Sequence, residues 1–311
     1  MEYKKHKLLE KDTPTTLLKW MERNYPDVVR SLVYKSIRKG LVKLNGKKTT
    51  SNVRLNEGDE LSVSSYVSQN IEKTSQTKSL SQSERGKIRS WIIYEDSDIV
   101  VLNKPGGVAC QGGSKVVVSL DGLLCDYYSS DEIRLVHRLD KDTSGLMVVS
   151  KNLRSAQNLG LQFKEKEVSK VYVAVVIGDI SKKLSKADVV KTEEESGRES
   201  ITEYKILSTR SDYDLTLIEL KPRTGRKHQL RKHMSYSLGL PILGDRLYGK
   251  DILKLWYRKH EIKSDLLLSS IRLTFTHPTS GERMDINYDV EGGIEKFFNL
   301  RNYYKFGKTQ R

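Results

Sequence analysis

Residues 135–151 constrain this chain more than any other stretch. The middle, His137-Arg138-Leu139-Asp140-Lys141-Asp142-Thr143-Ser144, is polar and charged, and the end, Leu146-Met147-Val148-Val149, is a continuous apolar run. An apolar run of this length with β-branched residues predicts a buried strand, and the charged residues then lie on the loop that feeds it. Gly145 is the hinge between them, at a point where a Cβ would restrict the backbone angles or the approach of a ligand. Asp140 is therefore expected on a loop anchored by a core strand, which is where scaffolds commonly carry reactive groups. Taken alone, an Asp beside Arg and Thr is equally at home as a turn former or in a surface ion pair, so the rest of the chain has to decide.

The 311 residues suffice for about two domains, and a hydrophobic content of 37% supports a packed core. Lys and Arg number 55 against 40 Asp and Glu, a net charge of +15. Such an excess favours a polyanionic partner, with nucleic acid the first candidate. Cys110 and Cys125 have no metal-type spacing and cannot form a disulfide framework, which fits a reducing, cytoplasmic setting. No apolar run approaches the ~20 residues that span a bilayer. The charged start, Met1-Glu2-Tyr3-Lys4-Lys5-His6-Lys7, is followed by no apolar signal segment, so neither a secretory nor a transit peptide is expected.

Residues 13–67 read as a small α/β domain. Thr13 caps a first helix with Pro14 at its first position, and Leu17, Leu18 and Met21 share one face. A second helix follows Tyr25-Pro26-Asp27, with Val29, Leu32, Val33 and Ile37 as its apolar stripe and Gly40 as its stop. Leu41-Val42-Lys43-Leu44 is a strand, Asn45-Gly46 a tight turn, and Leu61-Ser62-Val63 a later strand. Arg30, Lys35, Arg38, Lys39, Lys43, Lys47 and Lys48 then form a basic face suited to a phosphate backbone. This order of elements, with K-G-x-V-x-x-N-G-K and G-D-E-L, resembles the S4-like RNA-binding domain.

Residues 68–88, rich in Ser, Gln, Thr and Lys, read as a flexible linker that raises the effective concentration of a bound polymer at the second domain. Residues 89–311 read as one α+β domain around a mostly antiparallel mixed sheet. Trp91-Ile92-Ile93-Tyr94 and Ile99-Val100-Val101-Leu102 are strands, followed by glycine loops at Gly106-Gly107 and Gly112-Gly113-Ser114 without the helix-opening context of a nucleotide-cofactor site. Lys170-Val171-Tyr172-Val173-Ala174-Val175-Val176 is a strand, with Tyr172 opposite in facing to Val171 and Val173. Residues 181–200 read as a charged loop or hairpin, residues 202–207 and 214–220 as paired strands, residues 266–275 and 284–287 as a final hairpin, and residues 301–311 as a frayed basic tail. His228 and His233 are five apart with no Cys or Glu to complete a site, so no metal is expected.

Several strings now fall in order: E-D-S-D-I-V-V-L-N-K-P-G-G-V, H-R-L-D-K-D-T-S-G-L, K-V-Y-V-A, R-T-G-R-K-H-Q-L-R-K-H and G-L-P-I-L-G-D-R-L-Y-G. Together they resemble the RluA-type pseudouridine synthases, which isomerise uridine in RNA. The resemblance implies that chemistry without a cofactor, with Asp140 as the carboxylate acting on the target nucleotide, either as nucleophile or as base. It implies that Arg138 enters the RNA and holds the target nucleotide out of the stack. Tyr172 is then the aromatic platform under the base. An arginine is needed to keep the carboxylate ionised, and Arg226 is assigned that task, with Arg231 the second choice and otherwise an RNA contact. The family often has a His before Gly112-Gly113-Ser114, where this chain has Cys110-Gln111, so no role is carried over there. The members most similar in layout act on large-subunit ribosomal RNA. Alternatives are a family member acting on tRNA or another RNA, and a non-catalytic RNA-binding assembly factor. A DNA-binding protein is disfavoured because no base-reading helix is evident. The expected partner is RNA, without membrane or DNA, for a monomeric protein.

Overall fold

The computed structural model describes residues 2–26, 28, 30–69, 80–112, 118–130, 132–178, 187–193, 197–289 and 293–305, without the side chains of 30, 31, 35, 68 and 69. The chain divides into two compact units, Met1–Ser81 and Gln82–Arg311. No described helix is long and apolar enough to cross a membrane.

The first unit has strands β1 (Tyr3–Lys7), β2 (Thr15–Thr16), β3 (Val42–Leu44), β4 (Lys47–Lys48), β5 (Arg54–Leu55) and β6 (Glu60–Ser64). Its main sheet runs β1-β6-β3-β4, and β2 pairs with β5. The helices Leu17–Asn24 and Arg30–Lys39 place Leu17, Met21, Val33 and Ile37 into one core with Val42, Leu61 and Val63. Three details differ from expectation. The unit begins at residue 3, because β1 pairs along β6, with His6 opposite Leu61. The first helix starts at Leu17, capped by Thr16, because Thr15 and Thr16 are held extended against β5. Thr13 therefore lies ahead of the helix as the cap of a short 3-10 turn. Gly40 does close the second helix, at φ 73°, and the place of its absent Cβ lies against the Lys48 side chain. This brings the helix end beside the β3–β4 hairpin.

Both ends of the linker expected over residues 68–88 are helical in the structure. Ser65–Gln69 is helical, residues 70–79 lie outside the described residues, and Gln82–Trp91 is a helix belonging to the second unit. Ile88 on that helix is buried, and Arg85 donates to the carbonyl of Tyr127 at 3.1 Å. A polar composition hid a helix that needs only one buried apolar residue. Trp91 accordingly ends this helix, and the strand begins at Ile92.

The second unit carries β7 (Ile92–Glu95), β8 (Ile99–Lys104), β9 (Arg134–Leu135), β10 (Ser144–Ser150), β11 (Ser169–Ile177), β12 (Ala187–Glu193), β13 (Glu199–Arg210), β14 (Leu215–Pro222), β15 (Leu268–Thr276) and β16 (Arg283–Asn287). They form one ten-stranded sheet in the order β12-β13-β14-β11-β15-β10-β8-β7, with β16 beside β15 and β9 beside β10. Among these pairs β10–β15 is parallel and the others antiparallel, the mixed, mostly antiparallel α+β sheet expected. Residues 187–193 and 199–210 form a hairpin, so the charged segment is built into the sheet edge. The tail is also partly ordered: the Tyr304 hydroxyl donates to Glu219 at 2.6 Å.

All seven residues of β10 are buried. Leu146 and Val148 pack with Leu159 of the helix Leu153–Lys164 and with Phe275, each apolar side chain contributing roughly 1.5–3 kcal/mol by burial. Asn152 caps that helix by accepting from the Ser155 N–H at 2.9 Å. On the other half of the sheet, Leu253 and Trp256 of the helix Lys250–His260 pack with Val173, Leu217 and Ile271. The central strands β10, β15 and β11 are thus covered and rigid. Gly145 sits where β10 meets β15 at φ 110°, and a Cβ there would lie 2.2 Å from the Ser270 carbonyl oxygen. The close approach that requires glycine is thus a neighbouring strand, where the sequence had left open a ligand.

Candidate active site

Asp140 lies on the loop between β9 and β10, and the backbone around it is fixed from behind. The Thr143 N–H donates to the Asp140 carbonyl at 3.2 Å, closing a turn. Cys110, in the position with no assigned role, has its thiol 3.1 Å from the Leu139 carbonyl and accepts the Leu139 N–H at 3.4 Å. Lys104 is wholly buried at the end of β8, opposite Gly145 of β10. Its ammonium donates to the carbonyls of Pro105, Val108 and Lys141 at 2.8–3.0 Å. Burial lowers this ammonium to about 8, against the opposing pull of Cys110, Asp142 and Asp140. The K-P-G-G turn and the Asp140 loop are therefore tied together through one buried lysine. Thr143 helps through its backbone; its hydroxyl is buried with no partner among the described residues, and the residue lines the cavity described next.

Asp140 opens on a cavity of about 370 Å³, lined also by Arg138, Tyr172, Arg226, His228 and Arg231. Tyr172 reaches it from β11, at a register shift where it stands opposite Ser270, the residue that also faces Gly145. One row across three neighbouring strands thus sets the tyrosine relative to the Asp140 loop. Tyr172 is 7% exposed, and burial, followed by the charge of Asp140, raises its phenol well above the ordinary value. Arg138 is exposed at the mouth.

The R-T-G-R-K-H-Q segment is folded around Gln229. Its buried amide oxygen accepts from the Thr224 hydroxyl at 2.7 Å and the Arg226 N–H at 3.0 Å, and its amide nitrogen donates to the Ile201 carbonyl at 2.9 Å. This turn places His228 in the left-handed region at φ 54° and aims its Nε2 at Asp140, 3.7 Å from Oδ1. Its Nδ1 lies 2.8 Å from the Tyr248 hydroxyl. Burial keeps His228 below its usual proton affinity despite the opposing charge of Asp140, so the ring is neutral near pH 7.

The two arginines take other places than expected. Arg226 has no carboxylate within ion-pairing distance among the described residues, and its Nε is buried without a partner. Arg231, expected as an RNA contact if not as the carboxylate's partner, is only 6% exposed. Its Nε and Nη2 donate to the two oxygens of Asp245 at 2.8 and 2.7 Å, so it cannot reach out to a polymer. Burial works to lower Arg231 and raise Asp245, but their mutual hydrogen bonds win in both, and the field of Asp140 adds to Arg231. The arginine whose charge bears on Asp140 is therefore Arg231, held as a fixed cation by the G-D-R-L-Y-G loop. His228, Tyr248, Lys104 and Cys110 went unassigned in the sequence. A left-handed turn and contacts between distant segments carry no spacing signal.

In the first unit, Arg38, Lys39, Lys47 and Lys48 are exposed, while Lys43 is half-buried with its ammonium 5.0 Å from the Tyr3 ring centroid. Arg30 and Lys35 lie on the second helix, with side chains outside the described residues. Among the described residues, Asp96, Asp98 and His277 bring ligand atoms within 4.8 Å of one another. Asp96 accepts from the N–H groups of Asp98 and Ile99 at 2.8 Å, and His277 Nδ1 accepts from those of Thr279 and Ser280, so the cluster is occupied in holding two turns.

Comparison with known proteins adds the following. The family model described as RNA pseudouridylate synthase matches residues 98–236. The chain is 37% identical over 298 residues to the ribosomal large subunit pseudouridine synthase C of Rickettsia bellii, covering 90% of this chain and 95% of the relative. It is 32% identical over 287 residues to the protein of the same name from Vibrio vulnificus, covering 89% and 90%. Among solved structures, human RNA pseudouridylate synthase domain containing 4 superposes with a TM-score of 0.54 at 25% identity, covering 68% of this chain and 94% of that one.

Proposed function

Since the chain belongs to the RluA-type RNA pseudouridylate synthases, we propose that it isomerises specific uridines of large-subunit ribosomal RNA to pseudouridine. The carrying observation is one cavity lined by Asp140, Tyr172 and Arg226, with Arg138 at its mouth. The ribosomal target is supported by relatives of that name that match over nearly the whole chain.

The reaction breaks the bond between uracil N1 and ribose C1′, turns the base, and joins C5 to C1′; C5 loses a proton and N1 gains one, so the product is an isomer. Arg138 holds the uridine out of the stack, where extrusion costs a few kcal/mol. Tyr172 lies against the base, worth about 1–3 kcal/mol. The Asp140 carboxylate acts on the nucleotide as nucleophile or base. Arg231 sets a fixed positive charge beside it, and His228 fixes its direction. The S4-like first unit adds phosphate contacts through Arg38, Lys39, Lys47 and Lys48. The protein works as a monomer in the cytoplasm on RNA and not DNA.

Unmodified large-subunit rRNA, small-subunit rRNA and tRNA transcripts, each incubated with the protein and mapped by chemical labelling and reverse-transcription stops, test the target. Stops at discrete uridines of the large-subunit RNA are expected. Stops confined to tRNA would move the substrate, and none anywhere, with binding intact, would leave a binding factor.

A further inference from the structure

The cavity of Asp140 shares part of its lining with a second one. Arg226, Lys227 and Gln229 also line a second chamber of about 640 Å³, closed by the β12 end and by residues 232–237. Tyr236 on its wall is 69% exposed, although its ring is steadied by a T-shaped contact with Tyr248 at 5.5 Å. Lys227, Lys232 and Arg226 have no ion-pair partner among the described residues. His233 at the back is 2% exposed; one ring nitrogen lies 2.9 Å from the Thr192 hydroxyl, and the other, Nδ1, is buried with no partner among the described residues. Glu193 stands on the opposite, hairpin wall. An exposed aromatic beside cations on one wall fits a nucleotide better than an apolar ligand, since bases stack on rings and phosphates pair with cations. The shared lining puts that nucleotide next to the occupant of the first cavity.

We propose that this chamber is a subsite for the nucleotide next to the target uridine. Its base stacks on Tyr236, the phosphate joining it to the uridine lies on Arg226 and Lys227, and Lys232 takes the next phosphate. This rests on reading the Asp140 cavity as the uridine pocket. It gives Arg226 a task other than pairing with the carboxylate, and it makes sequence context beside the uridine part of selectivity.

The test uses the full chain and a short single-stranded RNA containing a target uridine, with the base removed at one flanking position at a time. Tyr236→Ala is expected to raise KM by about 5- to 150-fold, the factor for one stacked base, with kcat within about two-fold. Tyr236→Phe should restore KM, because stacking needs the ring and not the hydroxyl. Lys232→Gln should lower the salt slope of binding by about one. At one flanking position, base removal should cost the native chain the same factor and cost Tyr236→Ala nothing further. Unchanged KM in Tyr236→Ala, or additive losses at every position, would overturn the subsite. If the RNA binds but no pseudouridine forms, the uridine-pocket reading fails instead, and the same cycle run on affinities decides the chamber separately.

Discussion

Asp140 is held from behind by backbone contacts and from the side by a neutral histidine. His228 Nε2 is 3.7 Å from its carboxylate, and the Tyr248 hydroxyl, 2.8 Å from Nδ1, favours the tautomer whose Nε2–H points at Asp140. Tyr248→Phe keeps the ring and removes that hydroxyl; kcat should fall by about 2- to 12-fold, one hydrogen bond's worth, with KM unchanged in steady-state assays. A second residue, His137, governs acid stability. It accepts the Val148 N–H at 3.1 Å and stacks on Phe163 at 4.4 Å, and burial, with the nearby Lys170, lowers it to about 3. Between about 3 and the ordinary 6.5 the unfolded chain holds this proton and the folded chain does not. Its stabilisation is therefore complete above 6.5 and lost as pH falls toward 3, by up to a few kcal/mol. Denaturant unfolding at pH 7 and pH 4.5 should show a smaller pH-dependent loss in His137→Gln than in the native chain.

At the scale of elements, the β10–β15 junction sets the site, because it carries the Asp140 loop and fixes Ser270 opposite Tyr172. Gly145→Ala places a Cβ within 2.2 Å of a main-chain oxygen at a positive φ, so thermal unfolding should show a loss of about 2–5 kcal/mol. A variant as stable as the native chain would mean that the strands can part without cost. The apolar run of β10 announced its strand because it is buried on both faces, and the β-branched content of residues 170–176 announced β11. What composition obscured was the helix Gln82–Trp91, whose burial rests on Ile88. The places of Arg226 and Arg231 escaped the sequence for a different reason. Both stand in one basic motif, and only the distant Asp245 decides which of them is buried.

At the scale of the molecule, the proposed function has the two units divide the work of holding RNA and acting on it. Deleting residues 1–81 should lower the salt slope of RNA binding by about three, for the loss of the exposed cations Arg38, Lys39, Lys47 and Lys48. Turnover at saturating RNA should stay within a few-fold. An unchanged slope in a filter-binding titration would remove the first unit from the RNA interface. The central claim is that Asp140 drives isomerisation of uridine. The most direct measurement is release of tritium from large-subunit rRNA labelled at uridine C5, with the native chain and Asp140→Asn side by side. Stoichiometric release by the native chain, none by Asp140→Asn, and equal RNA affinity for both is the predicted result. Release by Asp140→Asn at the native rate would contradict it.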